Sequence, residues 1–389
     1  MVGLLVVAVV AGGLVGLLVS SFVWLYESGI EWVWVDLPEQ LDVDPTDSWW
    51  LVAIPVAGGV LVGLGQRFIG NYPEPIERVL TRIREGERIE PSVAPRTFAN
   101  ALVALVAGAP VGFEAALTDL IASSSYWVGD RLHTVERFVA VAAGREEVED
   151  LPASMRRLPV WLAVVVGLFV HRFLPFGHLD TSFRFDDFDG SIGAVEVLWL
   201  MATAVVITGL AVVVVHLVQR AEEATAYQRA PVVFGVVGGL GFALLAAPQD
   251  FVLFSGQQAI QNLEGLATGA LLYLAVAKVV GLALVLFCGW RGGPIFPTLL
   301  AAAALATIAA EAVDVPHAVL VVGSAAAVSA VFVKGSIPAG FVLTLYVAPL
   351  SYAGVVIVGV VTAATTLALL GSAGLLPARE PEGEPTAPA

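Results

Sequence analysis

The chain has 389 residues, of which 58% are hydrophobic and only 14% charged, with a mean hydropathy of +0.86. A soluble domain is near half apolar and about a quarter charged, so a water-soluble fold is excluded. The formal net charge of −15 excludes nucleic acid as a partner, which would need a basic patch.

In chain order, apolar stretches occupy residues 3–22, 49–65, 97–113, 158–170, 197–215, 231–247, 266–277, 279–290, 296–310, 315–333, 336–350 and 353–376. At ~20 residues per span, these predict an all-α integral membrane protein, a polytopic bundle of about ten helices. Residues 3–22 have no basic n-region and the length of a span, so they read as the first helix rather than a signal peptide. Several stretches are short, and Pro110, Pro338 and the segment 289–297 interrupt others. Broken helices survive in lipid only where protein or a water-filled cavity satisfies the freed backbone, and transporters build substrate sites from such half-helices. Residues 1–376 are therefore expected to form one transmembrane domain with re-entrant helices. Residues 377–389 (PAREPEGEPTAPA) read as a disordered acidic tail.

The loops predict an orientation. Residues 27–47 carry seven acids and no Lys or Arg, whereas 67–96 carry six arginines and 130–157 five. Basic loops stay cytoplasmic. The expectation is a multi-pass cell-membrane protein with a cytoplasmic N-terminus and an outward 27–47 segment.

The lone cysteine, Cys288, and five scattered histidines offer no metal-ligand spacing. No nucleotide-binding or nucleophile-elbow motif is present. The chain reads as no enzyme, with neither metal nor cofactor.

Three stretches carry chemistry. In Gly108-Ala109-Pro110-Val111-Gly112-Phe113-Glu114, an apolar run meets a proline that ends it, and a new helix starts near Glu114. Its N-terminus presents free N–H groups and a partial positive charge, which suit an anion. Glu114 either complements that dipole or competes for the anion's place; carboxylates inside membranes are costly and usually functional. The stretch Gly289-Trp290-Arg291-Gly292-Gly293-Pro294-Ile295-Phe296-Pro297 repeats the pattern. Gly292 and Gly293 permit close backbone approach, and the amides of Ile295 and Phe296 are placed to face a bound anion. The third stretch, Gly70-Asn71-Tyr72-Pro73, offers Asn71 as a side-chain donor, although an ordinary turn explains it equally well.

In their order, these stretches resemble the CLC family of chloride channels and proton/chloride antiporters over roughly residues 49–350. Residues 110–114 align with the family's P-x-G-x-E, and 289–297 with a divergent small prokaryotic branch whose turn reads GxRGGxIFP, preceded by Lys278. The resemblance implies two inverted halves, a homodimer in the lipid bilayer with one pore per subunit, and chloride or a similar inorganic anion as substrate. Glu114 would be the gate, and Gly112, Phe113, Ile295 and Phe296 would supply backbone N–H groups. Ala115 and Ala116 stand where the family has Gly-Pro, and Pro294 stands where it donates an N–H. Residues 120–171 leave little room for two family helices. No residue matches the inner proton-transfer glutamate, and Tyr346 and Tyr352 lie away from the place of the pore tyrosine. These departures favour passive conduction over proton coupling. Alternatives are a non-conducting homologue and a secondary transporter of another anion.

Overall fold

The computed structural model describes residues 2–127 apart from 86, 88 and 125, and residues 192–376, together with 166, 170, 174, 183 and 185. Among these residues the chain is helical nearly throughout, and the β-pairing consists of one isolated bridge. The first helices are α1 (Val2–Glu31), α2 (Leu37–Leu41), α3 (Trp50–Phe68), α4 (Ile76–Arg84) and α5 (Val93–Val106). There follow α6 (Ala194–Glu223), α7 (Pro231–Ala246), α8 (Thr268–Phe287), α9 (Ile295–Val313), α10 (His317–Phe332), α11 (Ile337–Val347) and α12 (Ala353–Ser372). Six described segments are long and apolar enough to cross a membrane: Gly12–Leu41, Trp50–Phe68, Ala194–Arg229, Thr268–Phe287, Ile295–Val313 and Leu350–Ser372. Apart from residues 166 and 170, the expected stretch 158–170 lies outside the described residues, as do the 130–157 loop and the tail 377–389.

Two expectations about element boundaries are corrected. Residues 27–47 are not simply a loop: a π-helical turn at Trp32–Asp36 joins α1 to α2, so helix continues to Leu41. Glu27, Glu31, Asp36 and Glu39 ride on it, because acidic side chains do not break a helix whose backbone bonds are satisfied. Likewise, 266–277 and 279–290 are not separate stretches. Lys278, wholly buried, sits inside the single helix α8.

The chain divides into two compact units. The first comprises Met1–Asp180, Val218–Ser255 and Val280–Pro297. Its framework is the crossing of α3 and α7. Gly59 and Gly63 on α3 face Gly235, Val232 and Pro231 on α7, and Gly239 faces the carbonyl of Pro55. A Cβ on Gly59 or Gly235 would strike the other's backbone. Lipid supplies no hydrophobic drive for helix association, so van der Waals contact between backbones must do it, and small residues four apart allow that contact.

The second unit comprises Thr181–Leu217, Gly256–Val279 and Thr298–Ala389. Residues 317–331 of α10 are buried along their whole length. Gly359 of α12 lies against the carbonyl of Gly323 on α10. Three buried threonines of this unit are answered locally: Thr208, Thr307 and Thr344 donate to the carbonyls four residues earlier, and Thr307 Oγ1 is 2.7 Å from His317 Nε2.

Candidate anion site

The candidate site lies in the first unit, where two interrupted helices meet. α5 ends at Val106. Gly108 then takes a left-handed φ of +84°, its N–H donates to Leu105 O, and the Ala109 N–H donates to Ala104 O. α8 ends the same way: Gly289 has φ +87°, its N–H reaches Leu286 O, and Trp290 N–H reaches Val285 O. Both are Schellman caps, whose left-handed residue is cheap only for glycine. After each cap the chain turns and a new helix starts, at Glu114 over 114–124 and at Ile295 for α9.

The two turns are joined by their backbones. Gly112 N–H donates to Gly293 O and Gly293 N–H to Gly112 O, each at 2.6 Å. This corrects one expectation, because the Gly112 N–H is committed to Gly293 rather than available to an anion. The glycines act instead by having no side chain. A Cβ on either Gly112 or Gly293 would collide with the Glu114 carboxyl, and one on Gly292 would meet Val111. Glu114 thus lies folded over a floor of two glycines, with the amides of Ile295, Phe296 and its own residue facing it. Oε1 accepts the Ile295 N–H at 2.5 Å, while Oε2 is buried with no hydrogen-bond partner. Pro294 has no N–H, and the helix starts one residue later, at Ile295. A carboxylate here occupies the place where the dipole and free amides of α9 favour negative charge.

Aromatic rings wall this site. Phe113 stacks on Tyr26 at 5.7 Å and meets Phe296 at 4.7 Å between centroids. Each turn is also pinned from behind. Trp34 Nε1 donates to Val106 O at 2.8 Å, and the Phe254 N–H to Gly108 O at 2.9 Å. On the other turn, Trp290 Nε1 donates to Gly235 O at 3.0 Å, and Gln66 Nε2 donates to Gly289 O. The α3/α7 framework therefore holds the second turn directly.

In the third stretch, Asn71 is tied to the second turn through its side-chain carbonyl. Its Oδ1 accepts from Arg291 Nε at 2.7 Å, and Arg291 Nη2 donates to Tyr227 OH at 2.9 Å. The Gly70–Glu74 turn is held by Asn100 Nδ2 on Gly70 O and by Asp119 Oδ2, which accepts the Glu74 N–H and the Thr97 hydroxyl. Arg291 and Tyr227 were not singled out by the sequence reading. One signal was available: Arg291 is a charged residue inside an otherwise apolar run, and such residues are functional candidates by default.

The family model described as voltage gated chloride channel matches residues 146–368, more than half of the chain. The chain belongs to this family, the CLC family. The matched region includes the second turn and α9 but not Glu114. The chain is 26% identical over 328 residues to YfeO of Escherichia coli (strain SMS-3-5 / SECEC), a protein provisionally named for ion transport. That alignment covers 74% of this chain and 75% of the relative. The same-named protein of Shigella flexneri is 25% identical over the same shares. Among solved structures, the fold is similar to that of a CLC-type fluoride/proton antiporter, with a TM-score of 0.71, 16% identity and coverage of 94% of this chain and 95% of that one. It is also similar to that of a slow cyanobacterial Cl−/H+ antiporter, with a TM-score of 0.73, 14% identity and coverage of 95% and 94%. The CLC chain, nearly all helical over its described residues, is thus a multi-pass membrane protein with the fold of these antiporters.

Proposed function

We propose that this CLC protein carries chloride or a similar small inorganic anion across the membrane, and that the Glu114 carboxylate gates the path. The observation that supports this most is the position of Glu114 at the N-terminus of α9, with one oxygen on the Ile295 N–H and the other buried without a partner. A bound anion and the carboxylate compete for the same donors. Protonation removes the competing charge, so flux rises as pH falls.

In this reading transport is passive, since no residue in the sequence matches the inner proton-transfer glutamate or the pore tyrosine of the family. The N-terminus is cytoplasmic, residues 27–47 face outward, and the protein is a homodimer. Chloride efflux from liposomes with simultaneous pH recording tests the core of the reading. Wild type is expected to show efflux that increases toward acid pH with no stoichiometric proton movement. Glu114→Gln, which keeps shape and hydrogen-bonding capacity, is expected to show high efflux that is flat with pH. Equal efflux and equal pH response in the two proteins would reject the gate, and proton movement in step with chloride would reject passivity. For orientation, Gln40→Cys should react with an impermeant thiol reagent from outside and Arg78→Cys should not. Cross-linking in mild detergent should trap a dimer.

A further inference from the structure

Arg291 lies two residues before the bridging Gly293 and is 6% exposed. Its guanidinium is held in place on two sides by neutral groups. Nε donates to Asn71 Oδ1, Nη2 donates to Tyr227 OH, and Cζ lies 5.5 Å from the centroid of the Tyr227 ring. The remaining nitrogen, Nη1, is buried and has no hydrogen-bond partner. Among the described residues, no carboxylate lies within ion-pair distance of Arg291; Glu222 acts on it only through space.

This arrangement is unusual for a structural arginine. Guanidinium groups are always charged, and a buried charge is expensive unless it is paired and hydrogen-bonded. Asn71 and Tyr227 supply orientation without compensating charge. Tying the 70–74 turn to the 226–229 turn would need only Nε and Nη2, and an amide or a hydroxyl would serve that purpose without burying a cation. What a fixed guanidinium adds is a positive donor held in one direction.

We propose that Arg291 Nη1 is a binding position for the transported anion, a second subsite beside the Glu114 cradle, built on a side-chain charge rather than on backbone amides. The proposal rests on the transport reading for the identity of its ligand. The two subsites have different characters. The cradle is contested by the Glu114 carboxylate and opens as that group protonates. The Arg291 position has no such competitor in contact and holds an anion independently of the state of Glu114. Nη1 is the one guanidinium nitrogen without a partner, and its N–H groups suit a small monovalent ion of the halide class.

Crystals of the full-length protein grown in bromide provide the test, with chloride-efflux kinetics alongside. Wild type should give an anomalous bromide peak in hydrogen-bonding contact with Nη1, and Glu114→Gln should keep it. In Arg291→Gln the peak should vanish, and the chloride concentration for half-maximal efflux should rise by about tenfold, the scale of one charge-assisted hydrogen bond. Arg291→Lys, which keeps charge but not the fork, should fall between. Wild-type crystals at saturating bromide with no peak at Nη1 would overturn the proposal without reference to any variant. A peak whose loss in Arg291→Gln leaves half-saturation unchanged would also overturn it, since the ion would then lie off the path. Absence of efflux from wild type with the peak present would instead sink the transport reading and leave the anion site standing.

Discussion

The two turns that meet at residues 112 and 293 perform the same backbone task with different side chains. Each begins with a left-handed glycine (Gly108, Gly289), places a bridging glycine four residues on (Gly112, Gly293), and opens a helix two residues later, at Glu114 and Ile295. The geometry depends on the glycines alone. The chemistry depends on the positions between and after them. Where the first turn has Pro110, the second has the buried Arg291; where the first ends in a carboxylate, the second ends in the amide that receives it. A pair of equivalent frames thus gives an asymmetric site: a carboxylate from one side, backbone donors from the other.

Substitutions can break or sharpen this comparison. The largest effect is expected from Gly235→Val. Its side chain would enter the backbone of Gly59, separate α3 from α7 and displace the carbonyl that accepts the Trp290 indole. No monodisperse protein should survive gel filtration in detergent, whereas Gly13→Ala, with nothing within 4 Å of the new carbon, should behave as wild type. Next comes Gly293→Ala, whose Cβ would take the place of the Glu114 side chain. That side chain is flexible enough to leave, so the protein should fold and its efflux should lose pH dependence as in Glu114→Gln. A wild-type pH response would show that the carboxylate does not use this cradle.

Smaller effects test the caps. Gly108→Ala and Gly289→Ala each force a left-handed residue, at ~1–2 kcal/mol, and each also meets a side chain. Gly289 faces the Tyr227 ring and Gln66, whereas Gly108 faces the Trp34 ring. Thermal unfolding should therefore shift further for Gly289→Ala; equal shifts would mean that the second turn is no more tightly enclosed than the first. The smallest effect is expected from Trp34→Phe. It deletes the hydrogen bond to Val106 O, about 1 kcal/mol, and should lower the unfolding temperature slightly without altering flux.

Both turns were legible in the sequence because a proline or a glycine pair inside an apolar run has few physical explanations. The contact between them was not. Periodicity and composition are local signals, and nothing local says that the Gly112 N–H will be spent on Gly293 O. The same blindness hid Arg291. Its partners Asn71 and Tyr227 lie 220 and 64 positions away along the chain, so it read only as one letter of a turn. Charge misleads in the opposite sense at Lys278, a cation in mid-run that suggests a break but is buried within α8. The acids between Glu27 and Glu39 suggested an open loop, yet helix with a π-helical turn runs through them to Leu41.

The bridge between the turns also bears on how the protein is made. Glu114 and the amide that receives it are 181 positions apart, and synthesis proceeds at roughly 5–20 residues per second. The ribosome therefore takes roughly ten seconds or longer to supply the partner of a carboxylate already threaded into the membrane. During that interval the turn around residues 108–114 lacks the Gly293 bridge and the Ile295 and Phe296 amides for its acid. It must wait either protonated or near water. A chain cut short before Ile295 would leave that acid without the amide that receives it.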